Sequence, residues 1–366
     1  MTLILVDLLF FTGKKGGMET YTRELYRSLG AQPAGFEFIG LASTEFMQLD
    51  TTWFPGELIE SGISGENRIA WARGELTAVS RAASRVGAQL IHSPANMGPF
   101  RSRVPVVVTI HDLLSFRHPR LLGTVNSVIV RSLVRLVARA ARRVITDSAA
   151  SATDVETYLR VAKDRLDVVP LATSARTAVA RETGGRGIRP LLLSTGNRMP
   201  HKNFESLIRA IALIEPSTRP ELVITGSHGD DPLAPLVSEL GLEKDVTLAS
   251  WVSSDELEAL YARASAYVIP SLFEGFGLPV LDAMSRGCPV ISSDIPVLHE
   301  VGGDAALYTD ATSPEALAEA ISAVLADAAL RQRLSEAGLA RSAGFTWEKV
   351  ARETAASFTK ALSAGA

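Results

Sequence analysis

Two cations and two acids in this chain are spaced for work on a phosphorylated ligand. Arg198 and Lys202 stand four residues apart in Thr195-Gly196-Asn197-Arg198-Met199-Pro200-His201-Lys202-Asn203. A guanidinium fork beside an ammonium suits a diphosphate, and the bland alternative is a solvated loop. Asn203 precedes the apolar segment Phe204–Leu213 and is placed to cap a helix there. Glu274 and Asp282, with seven residues between them, flank Gly275-Phe276-Gly277-Leu278-Pro279. Glycines at 275 and 277 can hold the backbone open beside a ligand. Pro279 fits the first turn of a helix, and the N–H groups of a helix start bind phosphate. The two carboxylates can accept hydrogen bonds from sugar or ribose hydroxyls, although Asp282 also reads as an acid favoured by a helix dipole. Gly13-Lys14-Lys15-Gly16-Gly17-Met18-Glu19 is a further glycine loop. It lacks both GxxxxGK[ST] and GxGxxG, so it is either an anion-binding helix start or a tight turn with Glu19 as a first-turn acid.

These loops need a rigid frame. Short Val/Ile/Leu runs without polar alternation predict strands at Leu3–Leu9, Phe36–Leu41, Leu90–Ser93, Val104–Ile110, Val144–Asp147 and Leu166–Val169. A second series falls at Leu191–Thr195, Leu222–Thr225, Val246–Leu248, Ala266–Pro270, Val290–Ser292 and Ala306–Tyr308. Strands apolar on both faces and alternating with helical segments are those of doubly wound parallel sheets. Ala172–Pro190 has no apolar periodicity and reads as a linker. The expected organisation is residues 1–172, residues 173–345, and a helix over 346–366. Its apolar face is Trp347, Val350, Ala351, Thr354, Ala355, Phe358 and Leu362. In such sheets ligands bind outside the carboxyl ends of the strands, where all three loops lie.

Composition narrows the class. At 366 residues the chain is too long for one ordinary core. Lys+Arg 37 against Asp+Glu 40 gives a net charge of -3 and no signal for nucleic acid. The single cysteine, Cys288, rules out an internal disulfide and reads as a core residue. Six histidines lie far apart without HExxH spacing, which disfavours a metal enzyme. The apolar start is interrupted by Asp7 and has no basic flank, so it reads as a buried strand in a cytoplasmic protein.

At these residues the chain resembles the retaining GT-B glycosyltransferases of family 4, also called group 1. The parts that carry the resemblance are Gly16-Gly17-Met18-Glu19, His111-Asp112-Leu113, Asp147-Ser148, Val169-Pro170, Arg198 with Lys202-Asn203, and a Glu-x7-Glu region beginning at Glu274. The second acid of that region is Asp282 here, one methylene shorter. Leu171-Ala172 also stands where many members continue Asn-Gly. The resemblance implies two Rossmann-like domains facing a cleft, an N-terminal acceptor domain, a C-terminal nucleotide-sugar domain, and a closing helix that crosses back. It implies that His111 contacts the donor sugar and that Arg198 and Lys202 stabilise the departing diphosphate. Glu274 would contact the hexose, and Asp282 would hold the ribose. Backbone groups at Gly16, Gly17, Gly275, Phe276, Gly277 and Leu278 would lie along the donor.

The implied activity is metal-independent transfer of a hexose from a nucleotide sugar to a glycan or lipid-linked glycan, with no cofactor. His111-Asp112-Leu113 followed by His118-Pro119 resembles mannosyl- and rhamnosyltransferases, which favours GDP-mannose, with UDP-sugars as the alternative. Val125–Arg143 carries Arg131, Arg135 and Arg139 at four-residue spacing, with Leu133, Leu136, Val137 and Ala140 on the other side. It reads either as a solvated face or as a peripheral contact with anionic lipid on the inner membrane face. The rivals are a GT-B sugar-nucleotide epimerase and a non-catalytic two-domain sugar-binding protein.

Overall fold

A computed structural model of the chain describes residues 1–32, 35–119, 124–173 and 189–363. Most of the predicted linker, residues 174–188, lies outside the described residues. The chain divides into two compact units, Met1–Ala172 with Thr346–Ala366, and Thr173–Phe345.

The first unit is built on seven parallel strands. They are β1 (Thr2–Leu8), β2 (Phe36–Ala42), β3 (Gly56–Glu60), β4 (Leu90–Ser93), β5 (Val106–Ile110), β6 (Arg143–Thr146) and β7 (Leu166–Val168), in the order β3-β2-β1-β4-β5-β6-β7. The second unit has β8 (Leu191–Thr195), β9 (Glu221–Ser227), β10 (Val246–Ser250), β11 (Ala266–Ile269), β12 (Val290–Ser293) and β13 (Ala306–Thr309), in the order β10-β9-β8-β11-β12-β13. Central strands such as β5 and β11 are buried throughout, in keeping with their mainly apolar sequence, Thr109 being the one polar residue of the two. The strand absent from the sequence reading is β3. It is an edge strand, Gly-Glu-Leu-Ile-Glu, with no fully buried residue, so it lacks the apolar run that marks the others.

Helices cover the sheets where their apolar stripes allow. Trp347–Ser363 packs on the first unit through Val350, Ala351, Thr354, Phe358 and Ala361. Phe358 meets Phe36 edge-on at 5.8 Å and His92 at 5.0 Å, while Lys360 Nζ lies 2.6 Å from Asp167. The basic helix Thr124–Ala140 differs from its predicted register. Val134, Val137, Ala138 and Ala141 are buried, at the i, i+3, i+4, i+7 spacing of a packed stripe, whereas Leu136 is exposed. Arg135, half-buried, and Arg139, exposed, are tied to the protein by their Nε groups, which donate to the carbonyls of Tyr158 and Leu159 at 3.2 and 3.1 Å. Cys288 is buried in the second unit.

Candidate active site

Each sheet has a switch point where consecutive connections leave in opposite directions, between β1 and β4 in one unit and between β8 and β11 in the other. That geometry leaves a crevice at the carboxyl edge. The loops singled out by sequence follow β1, β8 and β11.

In the second unit the loop after β8 and the loop after β11 are stitched together. Leu272 N–H donates to the His201 carbonyl at 2.8 Å. Asn203 adopts a left-handed conformation, with φ 54°. It makes no side-chain cap, contrary to the sequence reading. Its amide instead donates to the carbonyls of Pro270 (3.1 Å) and Ala311 (2.7 Å), which tie down three loops at once. On this frame Lys202 Nζ lies 2.7 Å from Glu274 Oε1, with the two side chains largely buried. Residues 72 apart in sequence thus form one ion pair at the switch point.

Gly277 begins the helix Leu278–Ser285 at φ 104°. That positive φ favours glycine, and a Cβ there would also press on the Leu298 side chain, 2.7 Å from its Cδ2. Phe276 is buried and meets Phe345 edge-on at 6.0 Å. Asp282, one turn along that helix, accepts a hydrogen bond from the Thr173 hydroxyl and lies 3.5 Å from Arg286. Arg286 in turn forks onto Glu258 at 2.8 and 2.5 Å.

Arg198 departs from expectation. Its Nε donates to Asp231 at 2.9 Å, Nη1 to the carbonyls of Gly196 and Thr225 at 3.0 Å each, and Nη2 to those of Ile224 (3.0 Å) and Ala249 (3.4 Å). A guanidinium has five N–H donors, and all five are in use. Arg198 therefore presents none to a diphosphate. It clamps the ends of β8, β9 and β10 together, and Lys202 is the cation left at the edge.

That clamp holds a feature the sequence reading missed. His228, just after β9, and Trp251, just after β10, stack with centroids 5.6 Å apart and planes 10° apart. Trp251 remains 65% exposed. Neither residue sits in a motif, and only the β9–β10 pairing brings them together.

In the first unit Gly16 takes φ 56° at the start of the helix Gly17–Ala31, and a Cβ on Gly16 or Gly17 would meet nothing within 4 Å. Glu19 is more than a first-turn acid. Its buried carboxylate accepts the N–H groups of Thr12 (2.7 Å) and Gly13 (3.0 Å), which fixes the loop. His111, just beyond β5, sits edge-on to Tyr21 at 4.7 Å. Its Nδ1 is 2.7 Å from Asp147 Oδ2 and its Nε2 is 2.9 Å from the Pro94 carbonyl. Both partners are acceptors when Asp147 is ionised, so both ring nitrogens then carry protons. Burial opposes that charge, but the Asp147 carboxylate and the Pro94 carbonyl outweigh it and raise the His111 pKa. The expected donor-sugar contact from the ring is thus not offered, because both nitrogens are taken. Asp147 Oδ1 is buried without a hydrogen-bond partner among the described residues.

Two parallel-sheet units with glycine loops and charged groups at their carboxyl edges define a GT-B type of protein. Residues 15–175 match the family described as Glycosyltransferase Family 4, and residues 177–341 match Glycosyl transferases group 1. The chain belongs to these glycosyltransferase families. It is 34% identical over 232 residues to an MMP alpha-(1->4)-mannosyltransferase of Mycolicibacterium hassiacum, covering 62% of this chain and 56% of that protein. It is 30% identical over 250 residues to O-antigen chain mannosyltransferase B of Escherichia coli, covering 67% and 61%. The match therefore spans about three fifths of the length of these relatives. In fold it is similar to sucrose-phosphate synthase from Thermosynechococcus elongatus, with TM-score 0.80, 21% identity and full coverage of both chains.

Proposed function

We propose that the chain transfers a hexose, mannose or a close relative, from a nucleoside-diphosphate sugar to a glycan or lipid-linked glycan, with retention and without a metal. The observation that carries this reading is the Lys202–Glu274 pair at the switch point of the second sheet. Transfer breaks the bond between the anomeric carbon and a phosphate oxygen, and charge collects on the leaving diphosphate. Lys202 and the N–H groups of the helix starting at Leu278 neutralise that charge. An arriving diphosphate takes the place of Glu274 on Lys202 and frees the Glu274 carboxylate to accept a hydroxyl of the hexose. Asp282 receives the ribose with Thr173 beside it. Trp251, backed by His228, offers its face to the nucleobase. Within the first unit, Gly16 and Gly17 keep the backbone open at the start of the helix Gly17–Ala31.

Mannose is favoured because the two relatives above are named mannosyltransferases, and GDP-mannose is the donor put forward, with UDP-sugars as the alternative. A peripheral contact with the inner membrane face fits the helix Thr124–Ala140. Val128, Ile129, Val130 and Leu136 are exposed there, and Arg131 shares the helix.

Incubation with GDP-, UDP-, TDP- and ADP-sugars, with release of nucleoside diphosphate as the readout, tests the activity. One donor is expected to be turned over at an unchanged rate in EDTA. Lys202→Ala is expected to lose about a hundredfold or more in kcat. No release from any donor would remove the proposal, and normal turnover in Lys202→Ala would remove the charge-neutralising role of that residue.

A further inference from the structure

A cavity of about 600 Å³ opens at the amino edge of the first sheet. It lies among the start of β5, the start of β6 and the end of the helix Thr124–Ala140. Its walls carry Arg101, Arg103, Arg139, Arg142, Arg143 and Arg165, against one acid, Asp164. Val106 lines the cavity, whereas His111 lies at the other end of the same strand. Five residues of extended chain separate them, roughly 16 Å. The cavity is therefore distinct from the carboxyl-edge site of this unit.

The six arginines come from three separate segments, so they are not one solvated helix face. Some are already committed. Arg143 forks onto Asp167 at 2.5 and 2.8 Å. Arg165 caps the end of the helix by donating to the carbonyls of Ala138, Arg139 and Ala141. Arg101 and Arg103 are exposed, and neither guanidinium has a hydrogen bond or ion pair among the described residues; Arg101 lies over the Phe100 ring at 5.4 Å. The like charges press on one another. Burial lowers the pKa of Arg165, and Arg142 and Arg143 lower it further, with only Asp164 in opposition. Converging cations with so little counter-charge are held at an electrostatic cost that an anionic occupant would relieve.

We propose that this cavity is a second anion site, which takes a phosphate or diphosphate ester through the guanidinium forks of Arg101 and Arg103. Guanidinium geometry matches phosphate oxygens in pairs. The volume falls in the range of small-molecule pockets, about 300–1,000 Å³, so the phosphate can carry an organic group. Two sources share this chemistry: a soluble phosphorylated molecule and a phospholipid headgroup. The inference does not depend on the transfer reaction.

The test uses the full chain and the double variant Arg101→Ala/Arg103→Ala, whose lost side chains are exposed and make no hydrogen bond or ion pair among the described residues. Binding of inorganic pyrophosphate is measured by calorimetry in a Lys202→Ala background, so that the transfer site does not report. Flotation is measured with phosphatidylglycerol and with phosphatidylcholine vesicles at low salt. A loss of at least tenfold in pyrophosphate affinity in the double variant supports the site with a soluble source. A loss of flotation confined to phosphatidylglycerol vesicles supports it with a headgroup source. Equal behaviour of the parent and the double variant in both arms, or no binding by either, overturns it. Nucleoside-diphosphate release by the double variant, with Lys202 intact, is expected to match that of the unaltered chain. A drop in that rate would place these arginines in the transfer machinery instead and would also overturn the proposal.

Discussion

Arg198 and Lys202 look alike in the sequence and do different work in the fold. Arg198 is locked by Asp231 and four carbonyls, and its side chain is only 7% exposed. Removing one partner of a buried ion pair strands the other, at a cost of about 3–5 kcal/mol. Arg198→Ala is therefore expected to lower the melting temperature by roughly 10 °C. Thermal unfolding monitored by circular dichroism checks this, and an unshifted transition would contradict the clamp. Lys202 is expected to behave oppositely, with turnover lost far beyond any change in melting. At Trp251, alanine removes a stacking face worth about 1–3 kcal/mol per base. The donor KM is expected to rise about tenfold with kcat within about twofold. A change in kcat alone would point to a role away from the base.

At the scale of elements, loop and helix share the labour. Gly277 lets the chain turn sharply off β11 so that the helix Leu278–Ser285 aims its N-terminus into the crevice, and Asn203 pins the neighbouring loop. The helix Thr124–Ala140 carries a different load. The Nε groups of its arginines at 135 and 139 are committed to backbone carbonyls, and apolar side chains at 128, 129, 130 and 136 are exposed. A bilayer contact through this helix would rest on apolar insertion more than on charge. Val128→Ser/Ile129→Ser is accordingly expected to reduce flotation with phosphatidylglycerol vesicles several-fold even at low salt. Unreduced flotation in that variant would exclude this face as the contact.

For the whole molecule, the buried ionisable groups of the first unit set how stability varies with pH. His92 is fully buried between Tyr26 and Thr109, at 2.6 and 3.1 Å. Burial, with a smaller push from His111, lowers its pKa to about 3. The unfolded chain takes up this proton near pH 6.5, whereas the folded chain resists it. The His92 contribution is thus present above pH 6.5 and is lost progressively as pH falls toward 3. Between pH 6.5 and 5 that loss is about 2 kcal/mol. His111 acts the other way, because its raised pKa gives stability that fades as pH rises. Burial likewise raises the carboxyls of Asp7, Glu75 and Asp147. The net slope mixes these groups, so the comparison must be between chains. His92→Gln is expected to flatten the decline in unfolding free energy between pH 6.5 and 5 by about 2 kcal/mol relative to the parent, measured by denaturant titration. Identical slopes would show that His92 titrates normally.

Strand-forming runs, glycine loops and the acids at 274 and 282 were legible in the sequence, because buried parallel strands and tight turns restrict residue type locally. That is why two α/β units and their edge loops follow from the chain alone, while β3, a short edge strand with no fully buried residue, does not. What a charged side chain does depends on which partners the fold delivers from far along the chain. Tertiary structure decided that Arg198 faces inward to Asp231, that Lys202 meets Glu274, that His111 is held at both nitrogens, and that Trp251 finds His228. Sequence spacing reports neighbours along one element, whereas hydrogen bonds and ion pairs are settled by neighbours across a sheet.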